Sequence, residues 1–230
     1  MKYLFTNGCS YSKPRTVSPH NVTVTVGGEI AKHYELEHVN FAQGGRGNDR
    51  MFLTTALYFM QNPERMKDTF AVIQLSSAGR IDYLTKKPQG PEDAMQGQDT
   101  AYRAINIFKD NGQRFLQQNF SKLDQIQYLV LRYFSSLISL QNFFKLNKIK
   151  YLFYNGLENY TTTGKQDHSD MANYIDKKCF FAWNDPKLVH YNFCVDNKLE
   201  LENDGHASKA GVIQYSNLLI DYIDTHSLIL

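Results

Sequence analysis

Apolar residues fall along the chain in two rhythms. Nearly continuous short runs stand at 2–6 ("KYLFT"), 38–43 ("HVNFAQ"), 69–77 ("TFAVIQLSS") and 148–155 ("KIKYLFYN"). Continuous runs of this length predict strands covered on both faces. Longer stretches repeat at three- and four-residue steps, the period of a helix with one buried face. Met51, Leu53, Ala56, Leu57 and Met60 predict a helix over 48–62. Leu123, Ile126, Leu129, Val130, Tyr133, Leu137, Leu140 and Phe144 predict a long one over 114–147. Val212, Ile213, Tyr215, Leu218, Leu219 and Ile223 predict a closing helix over 206–226. The segment 21–26 ("NVTVTV") alternates as a strand would, but Gly27-Gly28 and "EIAKHYEL" argue for a helix starting near Gly28.

Between these elements lie two irregular stretches. Residues 85–113 are polar and carry Pro88, Gly90, Pro91, Gly97 and Gly112, which reads as a surface excursion that could serve as a lid. Residues 156–200 are aromatic-rich, with a short helix expected at 169–178. Strands alternating with helices predict a three-layer α/β/α sandwich on a mostly parallel sheet, with 1–230 as one domain. No internal repeat interrupts it.

Composition narrows the function classes. Hydrophobic residues make up 42% of the 230, enough for a sizeable core. Net charge is +2, from 25 basic and 23 acidic residues, so no concentrated basic face argues for nucleic acid or a membrane surface. No run of about 18 apolar residues predicts a membrane span. The first residues lack a basic-then-apolar leader, so a cytoplasmic location is expected. Three cysteines (Cys9, Cys179, Cys194) fit a reducing compartment; Cys179 and Cys194 would pair only in an exported chain. The histidines show no metal-ligand spacing, and neither a metal nor an organic cofactor is expected. The "DHSD" at 167–170 reads as a solvated loop rather than a cation site.

In parallel α/β sheets the site lies at the carboxyl ends of the strands. The residues there are Gly8-Cys9-Ser10, Gly44-Gly45-Arg46-Gly47-Asn48, Ser76-Ser77, Asn155-Gly156, and the turn Asn203-Asp204-Gly205-His206 before the last helix. Together they offer a serine, a glycine-rich turn and an Asp/His pair. Acyl transfer by serine needs all three: an imidazole to take the hydroxyl proton, a partner to orient the imidazole, and N–H donors for the oxyanion. Each residue also has a plainer reading. Ser10 and Ser12 suit an ordinary turn, Cys9 a small buried site, and Asn203 or Asp204 a helix cap. "GGRGND" fits neither a Walker loop nor a dinucleotide fingerprint.

At these residues the chain resembles the SGNH (GDSL-like) hydrolases. "TNGCSYS" looks like that family's first block, "VNFAQGGRGNDRM" its second, "VIQLSSAGRIDY" its third and "ENDGHASKAGVIQYSNLLIDYI" its last. The resemblance spans about residues 3–225 and implies a flavodoxin-like sheet. It implies Ser10 as nucleophile, His206 as base and Asp204 as its partner. Gly45 would serve as oxyanion donor, supplemented by Ser76, Ser77 or Asn48. Arg46 and Arg80 are candidate substrate contacts. Three departures stand out, the first being Lys13-Pro14-Arg15 after the first serine, where the family commonly has a glycine. The family's third-block asparagine is missing, with Ser76 and Ser77 in its region. Asp204 precedes His206 by two residues rather than three, with Asn203 at the usual position, so the alternative is a Ser-His dyad. The implied activity is a serine esterase acting, through an acyl-enzyme, on an acyl ester, such as an acetyl ester, of a small molecule or carbohydrate. The rivals are an acyltransferase with the same residues and a non-catalytic binding or structural protein of the same fold.

Overall fold

The computed structural model describes residues 1–14, 24–85, 101–106, 122–158 and 169–229. Among the described residues, four strands form one parallel sheet in the order β2-β1-β3-β6: β1 Tyr3–Asn7, β2 Glu37–Asn40, β3 Thr69–Leu75 and β6 Lys150–Asn155. The register pairs Phe5 with Val39 on one side and with Ala71 on the other, and Val72 with Leu152. β1 therefore lies inside the sheet, and its carboxyl end opens where the strand order reverses, the place such sheets use for ligands.

Period-two alternation divides each strand between two cores. Phe5, Ala71, Ile73, Leu75, Tyr151 and Phe153 face one layer, with α2 (Asn48–Gln61) and α3 (Lys122–Leu146). Leu4, Phe70, Val72, Leu152 and Tyr154 face the other, with α1 (Val26–His33) and α6 (Lys209–Thr225). The result is the three-layer α/β/α sandwich that the pattern predicts. In α6, Val212, Tyr215, Leu219, Ile220 and Ile223 are buried. At about 1.5–3 kcal/mol per buried aliphatic or Phe-sized side chain, that face outweighs any local propensity in holding the helix to the sheet.

Several boundaries differ from the sequence expectation. Val26 is helical, not the end of a strand, because the Thr25 side chain accepts the Gly28 N–H and caps α1. The last helix begins at Lys209 rather than 206, and its cap is Ser208, whose side chain accepts the Gly211 N–H. Asn203 and Asp204 therefore do not cap it. The polar excursion is rooted earlier than 85. β4 (Arg80–Thr85) pairs antiparallel with β5 (Ala101–Asn106), Asp82 opposite Ala104. Residues 86–100 and 107–113 of that excursion, the 114–121 start of the expected long helix, and the first two residues of "DHSD" lie outside the described residues. The short helix expected at 169–178 is α4 (Ser169–Ala172), followed by a 3-10 turn at Lys177–Cys179. A further helix, α5 (His190–Asp196), stands in the stretch read as irregular. Cys9, Cys179 and Cys194 are all free thiols. Among the described residues, no helix is long and apolar enough to cross a membrane.

Candidate active site

The turn after β1 is held from three sides. Asn7, fully buried, donates through Nδ2 to Thr54 Oγ1 (2.9 Å), Thr55 Oγ1 (3.0 Å) and the Met51 carbonyl (3.1 Å), while its Oδ1 accepts the Gly8 N–H at 2.9 Å. Gln74 on β3 accepts the Cys9 N–H through Oε1 at 3.2 Å. The Ser12 N–H donates to the Cys9 carbonyl at 3.1 Å, and Ser12 Oγ bonds Tyr154 Oη at 3.1 Å. Gly8 leaves no space for a side chain: a Cβ there would lie 2.8 Å from Gln74 Oε1 and 2.9 Å from Ser12 Oγ. With Cys9 and Ser12 buried, Ser10 is the side chain that this turn presents outward.

The second arm is a tight loop from Leu201 to Ala207, which form an isolated antiparallel bridge. Gly205 N–H donates to the Glu202 carbonyl at 2.8 Å, and Gly205 takes φ +80°, a left-handed conformation that favours glycine. This places His206 Nε2 2.6 Å from Ser10 Oγ, across 196 positions of sequence. Asp204 Oδ1 lies 3.0 Å from His206 Nδ1 and also accepts the His206 main-chain N–H at 3.2 Å. The Asp204 contact is an ion pair by distance but not an aligned hydrogen bond at Nδ1. Its side chain is 50% exposed, against 18% for His206. Solvent therefore screens this pair more than it would a buried triad carboxylate.

Tyr11 joins the two arms. Its hydroxyl donates to the Gly205 carbonyl at 2.6 Å, and its ring centroid lies 4.6 Å from that of His206. Behind it His190 is fully buried, stacked 4.2 Å from Tyr215 and edge-on to Tyr11. Burial, reinforced by nearby His206, lowers the His190 pKa to about 3, so it stays neutral.

The remaining expected site residues separate. Gly44 is the glycine beside the serine: a Cβ on it would lie 3.8 Å from Ser10 Cβ. Gly45 is the exposed next residue, at φ +72°. Asn48 is buried, and both ends of its carboxamide bond Ser76: Nδ2 to the carbonyl (3.0 Å), Oδ1 from the N–H (2.8 Å). It braces the end of β3 rather than facing the cleft. Ser76 is buried and its Oγ accepts from Arg80 Nη1 at 3.1 Å. Ser77 and Arg80 do line a cleft of about 520 Å³, together with Tyr11, Leu157, Glu158, Tyr191 and the Asp204–His206 turn. Arg46 does not; its carbonyl accepts from Arg80 Nη1 at 3.4 Å.

The glycine loop is itself anchored. Asp82 accepts the Gly47 N–H (2.9 Å) and the Arg50 N–H (3.0 Å). Burial raises the Asp82 pKa, opposed by those same two N–H groups. Among the described residues no group of three or more His, Cys, Asp or Glu side chains is placed to hold a metal ion.

Tyr11, Gln74 and Glu158 were not singled out from sequence. Gln74 carried a signal, a lone amide inside an apolar strand run. Tyr11 and Glu158 carried none, because their partners are distant in the chain.

No protein-family model and no curated protein matches the chain. Among solved structures, the acetyl xylan esterase Axe2 from Geobacillus stearothermophilus is similar with a TM-score of 0.49 at 14% identity, covering 96% of this chain and 94% of that one. A Bacillus subtilis protein gives 0.48 at 12% identity, over 99% of this chain and 57% of its own. An alpha/beta hydrolase enzyme from the metagenome of Lake Arreo, Spain, gives 0.44 at 9%, over 100% and 96%. Likeness this distant says nothing about chemistry, which rests on the site's own geometry.

Proposed function

We propose that the chain is a serine esterase of SGNH type that removes a short acyl group from a small-molecule or carbohydrate ester. The observation that carries this reading is the 2.6 Å contact between Ser10 Oγ and His206 Nε2. It is within the reach a general base needs, and nothing about a plain turn requires it.

In this reading Ser10 Oγ attacks the ester carbonyl while its proton passes to Nε2. Nδ1 carries the other ring proton and faces Asp204, which favours the imidazolium as it forms. Main-chain N–H groups of Ser10 and of the Gly44–Gly45 turn receive the oxyanion; the Ser77 hydroxyl, a candidate from sequence, donates to Glu158 instead. The intermediate collapses, the alcohol leaves with the proton from His206, and an acyl-serine remains. Water then attacks, giving its proton to His206. The carboxylic acid leaves and Ser10 recovers its proton.

Hydrolysis of p-nitrophenyl acetate and labelling by a fluorophosphonate probe test this. Ser10→Ala and His206→Ala should each lower kcat by at least about 10³-fold, and the double variant should lose little more, because the two act as one unit. Labelling should map to Ser10 and vanish in both variants. Unchanged rates in Ser10→Ala would end the proposal.

A further inference from the structure

The cleft extends beyond the reacting atoms to a polar end that acyl transfer does not use. Glu158 stands there, three residues beyond β6. Its Oε2 accepts the Ser77 hydroxyl at 2.9 Å, and Ser77 Oγ in turn accepts the Gly79 N–H at 3.1 Å. Arg80 lies on the same lining and is close enough to stabilise the carboxylate charge, with Nη1 bonded to Ser76 Oγ. Among the described residues Arg80 and Glu158 form no ion pair with each other. Burial raises the Glu158 pKa, opposed by Ser77 and Arg80. Leu157 and the ring of Tyr191, itself 37% exposed, add apolar surface beside these charges.

The ligand chemistry follows from what each group accepts or repels. An anion would meet Glu158, and a cation would meet Arg80. An alkyl chain would strip water from both charges and return no hydrogen bond. A neutral hydroxyl suits both: it donates to the carboxylate and accepts from the guanidinium. A ring bearing several hydroxyls also has an apolar C–H face to lay against Tyr191. We propose that Glu158, with Arg80 and Tyr191, forms a subsite for a polyhydroxylated, saccharide-like alcohol portion of the ester, and that Glu158 determines this specificity. This rests on the esterase reading, and its tests are separable from that reading.

The test compares three acetates of one acyl group: p-nitrophenyl acetate, hexyl acetate and a monoacetylated methyl glucopyranoside. Glu158→Gln keeps the shape and removes the charge. In the wild type the sugar acetate should have a higher kcat/KM than hexyl acetate. In Glu158→Gln its kcat/KM should fall at least about tenfold, mainly through KM, while p-nitrophenyl acetate stays within about twofold. An equal fall for all three esters, or no preference for the sugar ester, overturns the subsite. A second arm needs no turnover and no catalysis. Free methyl glucopyranoside should bind Ser10→Ala, detected by saturation-transfer NMR, and the signal should disappear in Ser10→Ala/Glu158→Gln. Binding that persists in the double variant overturns the proposal, as does no binding to Ser10→Ala. If no acetate is turned over and no fluorophosphonate label reaches Ser10, the esterase reading falls, and this binding arm still decides the subsite.

Discussion

Tyr11 follows Ser10 directly, yet its hydroxyl bonds the main chain of Gly205, one residue before the imidazole. One side chain therefore sets the spacing of nucleophile and base. Asp204 contributes from a half-exposed position, and its oxygen is shared with a main-chain N–H. Loss of a misaligned, screened carboxylate costs less than loss of a buried, aligned one, whose neutralisation removes about 10⁴-fold in kcat in serine proteases. Tyr11→Phe keeps the ring packed on His206 and deletes only the latch. It should lower kcat about tenfold with KM within about twofold, because the base is misplaced while substrate contacts remain. Asp204→Asn should lower kcat about ten- to hundredfold. Steady-state kinetics with p-nitrophenyl acetate rank them; a loss in Asp204→Asn as large as in His206→Ala would restore Asp204 to a full triad role.

His190 makes a prediction about stability rather than rate. Its pKa is lowered from 6.5 to about 3 by burial. In the unfolded chain it binds a proton below its ordinary pKa, whereas the folded protein refuses one until near pH 3. The unfolded state thus holds more protons in that window, and stability falls as pH drops below 6.5. The limiting slope is about 1.4 kcal/mol per pH unit. Asp82 and Glu158 shift upward and act in the opposite sense, so the clean measurement is a difference. Unfolding free energies from urea titration, wild type minus His190→Phe, taken from pH 7 to pH 4, should decline toward acid at about that slope. A flat difference would show that the ring charges as easily folded as unfolded.

At the scale of elements, the nucleophile turn depends on β3 as much as on β1. Gln74 is fully buried, and its Oε1 holds the Cys9 N–H. Its Nε2 is buried without a hydrogen-bond partner among the described residues. Gly8 and Gly156 flank it closely; a Cβ on Gly156 would lie 2.4 Å from Nε2. A glutamine kept in an apolar strand at the cost of an orphaned amide is retained for its oxygen. Gln74→Leu is near in volume and leaves the Cys9 N–H without that acceptor. It should destabilise by about 1–3 kcal/mol in urea titration. It should also slow fluorophosphonate labelling under conditions where the protein stays folded. Unchanged labelling would mean the turn stands without β3.

The pattern of apolar residues made the elements legible because burial is periodic. A strand covered on both faces reads as an unbroken run, and a packed helix as a three-four repeat. β3 at Thr69–Leu75 and α2 at Asn48–Gln61 lie within two residues of the expectation. The errors fall where a hydrogen bond, not burial, sets the boundary. Thr25 and Ser208 each start a helix through one side-chain oxygen. α5 went unseen because only His190 and Cys194 of its seven residues are buried.

At the scale of the molecule, the parallel sheet and its two cores bring all the strand ends to one edge. Once that architecture was inferred, Ser10, Gly44–Gly45, Ser77 and the Asp204–His206 turn could be gathered as candidates, since strand direction follows from the alternation of elements. The linear pattern thus determined the layers, the edge that carries the site, and the residue types converging there. Which of those side chains actually meet was decided only by the tertiary structure. Asn48 turned inward onto Ser76, Gly44 took the place beside Ser10, and Tyr11, Gln74 and Glu158 entered through partners about 60 to 190 positions away. The reason is physical. Periodic burial is a local property that repeats along the chain, whereas a hydrogen bond between distant residues depends on a few tenths of an ångström that only the packed whole defines.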